Sequence, residues 1–187
     1  MSLGNRTKEL FARELEAMTA EMPFTKIRVG DLCARCGTGR QTFYYHFRDK
    51  YDVVAWIFER DFHLAEAAVG ESVPVAVVAE SLTRMWNRRS FYRAAFTDRS
   101  QNSISEYIQE FDVRMMGEVL ARYRGVDPDG LSEWDRFTIT HHSYGSIGCT
   151  LEWLRGDIDI TPAQLAAWEF DRMPAFMRKA YGLDESA

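Results

Sequence analysis

Cysteine and proline are scarce in this chain and long apolar runs are missing, and each shortage removes a class of protein. Three cysteines among 187 residues, Cys33, Cys36 and Cys149, cannot form the paired framework of a disulfide-bonded scaffold. Cys33 and Cys36 make a CxxC, but no second ligand pair accompanies it and no strand–helix–strand pattern surrounds it. They read as two helix residues at i and i+3 rather than as a zinc or redox site. No stretch approaches the roughly 20 apolar residues that cross a bilayer, so no membrane partner is expected. The first residues lack the charged, apolar and small-residue order of a secretory signal, and the cytoplasm is the expected location. HExxH, GxSxG and a glycine-rich phosphate loop are all absent, and no cofactor or metal is expected. Internal repeats and low-complexity segments are also lacking.

What remains is an ordinary globular balance, with 46% hydrophobic and 27% charged residues. The net charge of −5 conceals an asymmetry. Residues 1–60 hold ten Lys and Arg against eight Asp and Glu, whereas the remainder holds 13 against 20. Within 35–50, Arg35, Arg40, Arg48 and Lys50 face Asp49 alone. An acidic protein with a basic patch near one end can still bind a polyanion through that patch.

Apolar spacing predicts an all-α chain. Leu10, Phe11, Leu15 and Met18 recur at helical intervals over 6–22, and Pro23 stops that helix. A short second helix is expected over 29–36 and a third over about 39–47, separated by Gly37-Thr38-Gly39. Thr38 and Gln41 resemble a capping box that opens the third. A long fourth helix runs from near Asp49 toward Val69 with no linker before it. Further helices are expected over about 74–87, 90–97, 103–124 and 132–155. Thr161 and Pro162 open a last helix that ends near Gly182 and kinks at Pro174. The expected organisation is three short helices in residues 1–48, followed by a helical bundle over 49–187.

The third helix asks for a function. At about 100° per residue, Phe43 and Phe47 share an inward face, while Gln41, Thr42 and Tyr45 point away and Tyr44 and His46 flank them. A short helix, a glycine turn and a helix with an outward polar face make a helix-turn-helix, whose second helix fits the major groove of duplex DNA. Arg40 can donate to guanine O6 and N7, and Gln41 can pair with adenine N6 and N7. The Thr42 methyl or the Tyr45 ring can rest on a thymine methyl. Tyr44, His46 and Lys50 suit phosphates, which position a protein without reading sequence.

The order of residues carries a resemblance. PFTKIRVGDLCARCGTGRQTFYYHFRDKYDVV is similar to the DNA-binding signature of TetR-family transcriptional regulators. Cys36-Gly37, Thr42-Phe43-Tyr44-Tyr45-His46-Phe47 and Lys50 match that signature in order and spacing, over about the first 55 residues. The resemblance implies that Thr42, Tyr44, His46 and Lys50 occupy DNA-contacting positions and that Arg40 and Gln41 choose the operator. Two positions depart from the pattern. Arg28 stands where a Ser or Thr commonly opens the second helix; it could reach a phosphate but is a poor cap. Gly39 replaces a common polar residue. A narrower resemblance, carried by RQTFYYHFRDKYDVVAWIFE and GSIGCTLEWLRG, is to the branch containing activators of dihydroxyacetone-kinase operons. Members of that branch can work with a partner protein that senses the small molecule.

The family resemblance also implies a homodimer built on the last two long helices and a pseudo-palindromic double-stranded operator. Gly145, Ser146 and Gly148 would let a partner helix approach. Leu165, Trp168, Phe170, Met173, Phe176 and Met177 exceed what one buried face needs. A pocket for a small-molecule effector or a partner is expected within the bundle. Its candidate lining is Phe62, Trp86, Phe91, Tyr92 and Tyr107, with Phe111, Met115, His141 and Tyr144. Arg114 or His141 could orient an anionic ligand there. The expected function is a DNA-binding regulator, a repressor in the first instance. The alternatives are an activator or coregulator working with a sensor protein, or an adaptor with weakened DNA binding. An enzyme is the rival class, suggested by His141-His142-Ser143 with Cys149 and Glu152. Adjacent helical histidines point about 100° apart, which makes a shared metal ion difficult.

Overall fold

A computed structural model of the chain describes residues 3–70, 74–96 and 104–183. Its helices are α1 (Leu3–Glu21), α2 (Val29–Arg35), α3 (Arg40–His46), α4 (Lys50–Val69), α5 (Pro74–Asn87), α6 (Arg89–Phe96), α7 (Ile104–Arg124), α8 (Glu133–Arg155), α9 (Pro162–Asp171) and α10 (Ala175–Ala180). Single 3-10 turns stand at Phe24–Lys26 and Pro128–Gly130. The architecture is all-α, as the periodicity predicts. Positions 97 and 103, where two expected helices end or begin, lie outside the described residues.

The amino-terminal helices close over an aromatic knot. Phe11 of α1 meets Phe43 of α3 edge-on at 5.1 Å and Phe47 at 6.2 Å. Leu15, Met18, Phe24 and Leu32 bury themselves around these rings. The α2–α3 turn depends on Gly37, which adopts a φ of 62° that a side chain with a Cβ rarely tolerates. The expected capping box at α3 does not form. Gly39 is the N-cap, and no side chain bonds the first turn. The Thr38 hydroxyl is buried beside the Cys33 thiol instead, because the Thr38 backbone N–H is drawn back to the Cys33 carbonyl at 3.0 Å.

The same core continues without a break through Val53, Val54, Ile57 and Phe58 of α4 into α5, α6, α7 and the end of α8. Trp86 and Trp153 stack there at 4.6 Å, and the Trp153 indole donates to the Ile160 carbonyl at 2.9 Å. A second, smaller core joins Leu120, Leu131 and Ile139 to Phe170, Met173 and Met177. Two helices have strong starts. Asp49 accepts from the backbone N–H groups of Tyr51 and Asp52 at α4, and Ser132 with Asp135 makes a full capping box at α8.

The carboxyl end differs from expectation. A single kinked helix over 162–182 is replaced by two, α9 and α10, with residues 172–174 between them. Proline lacks the N–H that a helix interior needs, and it pushes the preceding residue out of helical geometry. Pro174 therefore becomes the N-cap of α10, and its carbonyl accepts from Met177 and Arg178. Thr161, Gln164 and Pro162 open α9 as the sequence suggests.

Candidate nucleic-acid interface and effector cavity

The short α3 presents its polar residues outward. Arg40, Gln41, Thr42, Tyr44 and Tyr45 are exposed, while Phe43 is fully buried and Phe47 nearly so. Tyr45 is 84% exposed, a degree that packing alone would not produce for so large a ring. Its ring meets His46 edge-on at 4.9 Å, which leaves His46 half-buried at the side of the helix. Arg28 is exposed at the N-cap of α2 and makes no capping bond, consistent with arginine's poor capping chemistry.

Two cations near this surface are engaged by the protein itself. Arg40 lies along α2, so that a Cβ added to Gly30 would stand 2.8 Å from its Nη2 atom. Lys50 is half-buried; its ammonium donates to the Phe24 carbonyl at 2.7 Å and sits 4.6 Å from the Phe24 ring centre. Any phosphate that Lys50 meets must share it with that brace. Arg35 pairs with Glu14 and Glu21 of α1, so its charge serves the α1–α2 contact. Cys33 is buried and Cys36 half-buried; burial raises both thiols, Cys36 to about 11. Neither is poised as a thiolate.

The bundle holds a cavity of about 500 Å³ between α4, α5, α7, α8, α9 and α10, open to solvent beside Glu118 and Arg122. Phe62, Val77, Phe111, Met115, Phe170 and Met173 form apolar walls. Phe62 and Phe58 both meet Phe111 edge-on, at 5.2 and 5.3 Å. Asp112 of α7 and Glu169 of α9 open onto this space and onto a smaller adjoining void. Burial pushes the Glu169 carboxyl up to about 8, against the opposing hydrogen bond from Thr150 at 3.2 Å. Burial also raises Asp112, partly offset by the Ser143 hydroxyl. Burial and neighbouring His141 lower His142, so its imidazole is neutral near pH 7.

Of the expected lining, Phe62, Phe111 and Met115 face the cavity. The others do not. Trp86 stacks on Trp153, and Phe91 and Tyr92 are buried in the packing of α6. Tyr107 lines a shallow groove beside the start of α4. His141 and Tyr144 are exposed on the opposite side of α8, since they precede and follow the inward pair His142 and Ser143 on the helical wheel. Arg114 is exposed and lies 3.7 Å from Glu59, so neither expected anion-orienting group looks into the cavity.

Residues 78–168 match the TetR-type family model described as "Transcriptional regulator C-terminal region". Those residues are therefore similar to the carboxyl-terminal region of TetR-type transcriptional regulators. Proteins of that type are regulators and not enzymes, and the match supports that class for this chain. No curated protein matches the sequence. A solved structure titled "Dihydroxyacetone kinase operon activator DhaS" shares the fold at a TM-score of 0.58 and 17% identity. That match covers 92% of this chain and 97% of the other. At this identity the likeness establishes common architecture. Among the described residues, no helix is long and apolar enough to cross a membrane, and no group of His, Cys, Asp and Glu is arranged to hold a metal ion.

Two features of the chain escaped sequence reasoning. The first is the cavity's acidic lining. Ile108, Asp112 and Met116 form one i, i+4, i+8 row, as do Leu165, Glu169 and Met173, and in each row the flanking apolar residues are buried. A carboxylate between two core residues of one row is a legible signal. The second is an ion network. Asp61, 3% exposed on α4, accepts from Arg60 and from Arg88 at the α5–α6 junction. Arg60 reaches Glu9 of α1 at 2.6 Å and Arg88 approaches Glu16 of α1 at 3.5 Å. Sequence separation hides such a network, because its paired members lie up to 72 positions apart.

Proposed function

We propose that this chain binds an operator in duplex DNA as a homodimer, reads it with α3, and is controlled through its helical bundle. The outward face of α3 carries the reading. Arg40, Gln41, Thr42, Tyr44 and Tyr45 stand in solvent over a buried phenylalanine pair, in an order suited to base edges and phosphates. Residues 1–48 act as the DNA-binding unit and 49–187 as the regulatory and dimerising unit. Arg28, His46 and Lys50 contribute phosphate contacts at the margins.

The second copy docks on α8 and α9. Trp134, Phe137 and Tyr144 of α8 and Trp168 of α9 are all more than half exposed, an aromatic patch beyond what a monomer leaves in water. A Cβ added at Gly145 or Gly148 would meet nothing within 4 Å, so a partner helix can come close there. Trp153, Leu154, Leu165, Phe170, Met173 and Met177 are buried within the subunit. Of the set named from the sequence, Trp168 stays exposed, and Trp134, Phe137 and Tyr144 take the place of the buried members in the proposed face.

Control runs through α4. Its carboxyl-terminal half lines the cavity with Phe62 and Glu66, and its amino terminus is braced to Phe24 by Lys50. An effector that prefers one tilt of α4 changes the separation of the two α3 helices, and it shifts DNA affinity by its differential affinity for the two states. Activation, alone or with a sensor partner, is the sign we favour over repression, because the structure of similar fold is titled an operon activator.

The test is a mobility shift with the DNA upstream of the chain's own gene. Tyr44→Ala should weaken binding on all sequences. Lys50→Ala should do so too, and should flatten the salt dependence by about one phosphate contact. Gln41→Ala should relax preference at particular bases by about 1–3 kcal/mol. A folded dimer that shifts no DNA specifically would support the adaptor reading.

A further inference from the structure

We propose that the cavity between α4, α7 and α9 takes an amphiphilic organic cation, an amine or quaternary centre carried on an aromatic or aliphatic body. This deepens the reading of the bundle as an effector site and rests on it. The walls supply the apolar half of such a ligand's complement, with Phe62 and Phe111 edge-on to each other and Met115 and Met173 beside them. The polar groups supply the other half, and their sign is consistent. Among the described residues, Glu66 of α4, Asp112 and Glu118 of α7 and Glu169 of α9 line the space, against one guanidinium, Arg122 of α7. His142 of α8, the remaining basic side chain of the lining, stays neutral because burial disfavours its charged form.

Glu169 and Asp112 come from facing helices, and each raises the cost of ionising the other. Tyr181 borders the same space, and Asp112 helps hold its hydroxyl protonated. Cys149 lies close enough to Glu169 that the carboxylate raises the thiol. None of these neighbours offers a positive charge to Glu169. In the empty cavity, its carboxyl near neutrality is therefore mostly the neutral acid. A ligand bearing a fixed positive charge supplies the missing counterion, the carboxyl ionises, and its proton leaves to the buffer. An anion would meet Asp112, Glu118 and Glu169, besides Glu66 in its pair with His63, and among the described lining residues Arg122 alone would attract it.

Tetraphenylphosphonium and tetraphenylborate test the charge directly, since they share shape and apolar area and differ in sign. The uncharged fluorophore N-phenyl-1-naphthylamine reports whether the cavity accepts ligands at all. Full-length protein should bind the phosphonium at least about tenfold more tightly than the borate. Its affinity should rise between about pH 6 and pH 9 as Glu169 becomes easier to ionise. Calorimetry in two buffers of different ionisation enthalpy should show a proton released at the lower pH. The isosteric pair Asp112→Asn with Glu169→Gln should remove most of the phosphonium preference and its pH dependence while leaving naphthylamine binding in place. Equal binding of the two ions, or a phosphonium affinity untouched by the double variant, would overturn the proposal. If the naphthylamine bound and the phosphonium did not, the effector site would stand and its cationic class would fall. If no probe bound, both would fall.

Discussion

The α3 surface and the bundle cavity invert each other. On α3, tyrosines and a glutamine face water over a phenylalanine floor, and on the cavity wall carboxyl groups face inward between phenylalanines and methionines. In the proposed reading, the outward set meets a ligand whose shape is known in advance, the groove of a double helix. The inward set meets whatever the surrounding helices leave room for. The first site is therefore a matter of local residue order, and the second a matter of which faces come together.

That contrast can be broken most forcefully at Phe43. Its ring is fully buried and touches Phe11, Phe47 and the edge of Tyr44. Phe43→Ala should cost about 3–5 kcal/mol, from lost burial and the cavity left behind. The damage should concentrate in α1–α3. Hydrogen exchange should show faster opening there, operator binding should fail, and ligand binding in the bundle should survive at temperatures where the fold persists. Equal loss of protection in α7 and α9 would show that the shared core makes the two regions one cooperative unit.

A smaller effect is expected where the regions are tied. Arg88→Ala leaves Asp61 nearly enclosed with Arg60 as its remaining partner, and it removes the link to Glu16 of α1. Loss of a buried ion-pair partner costs roughly 3–5 kcal/mol. Because Arg88 is 34% exposed and Arg60 persists, about 1–3 kcal/mol is expected here, read as a fall in Tm. If the network also couples bundle to DNA, the variant's operator affinity should respond less to effector than the wild type's. An unchanged response would confine Arg88 to stability.

Much of the α3 surface was legible because its information is sequential. Gly37, Phe43 and Phe47 declare a turn and an inward stripe, and the residues between them have nowhere to point but outward. Among the described residues, α1 to α8 and the start of α9 at the Thr161 cap were legible for the same reason, whereas the break that separates α10 was read only as a kink. The cavity was harder. Aromatic residues at helical spacing occur in every core, so Trp86, Phe91 and Tyr92 looked like lining until their neighbours claimed them. Asp112 and Glu169 could have been found by asking which acids interrupt a buried i, i+4, i+8 row. The Thr38–Gln41 capping box misled because its spacing fits, while the turn places Thr38 one residue too early. The exposed α8 aromatics were obscured by a helix that carries apolar residues on both faces, some buried in the core and some exposed.

The smallest expected effect separates stability from reading most cleanly. Gly30 lies in the first turn of α2, and the Arg40 guanidinium of α3 occupies the space a side chain would fill. An alanine there would press on the flexible end of Arg40 rather than on backbone, so the guanidinium can move aside. Glycine is also a poorer helix former than alanine by up to about 1 kcal/mol, with less at stake near a helix start. Gly30→Ala should therefore leave stability unchanged or raise it by a few tenths of a kcal/mol to about 1 kcal/mol. Its DNA behaviour should move the other way. Arg40 displaced from α2 would present its fork at a different angle, and preference at the base it reads should weaken while contacts from Tyr44 to phosphate persist. A panel of single-base operator variants, assayed beside a thermal melt, measures both. Loss of stability would mean that Arg40 is pinned against α2 and cannot yield. An unaltered base preference with a higher Tm would mean that Arg40 packs α2 against α3 and leaves the reading to Gln41 and its neighbours.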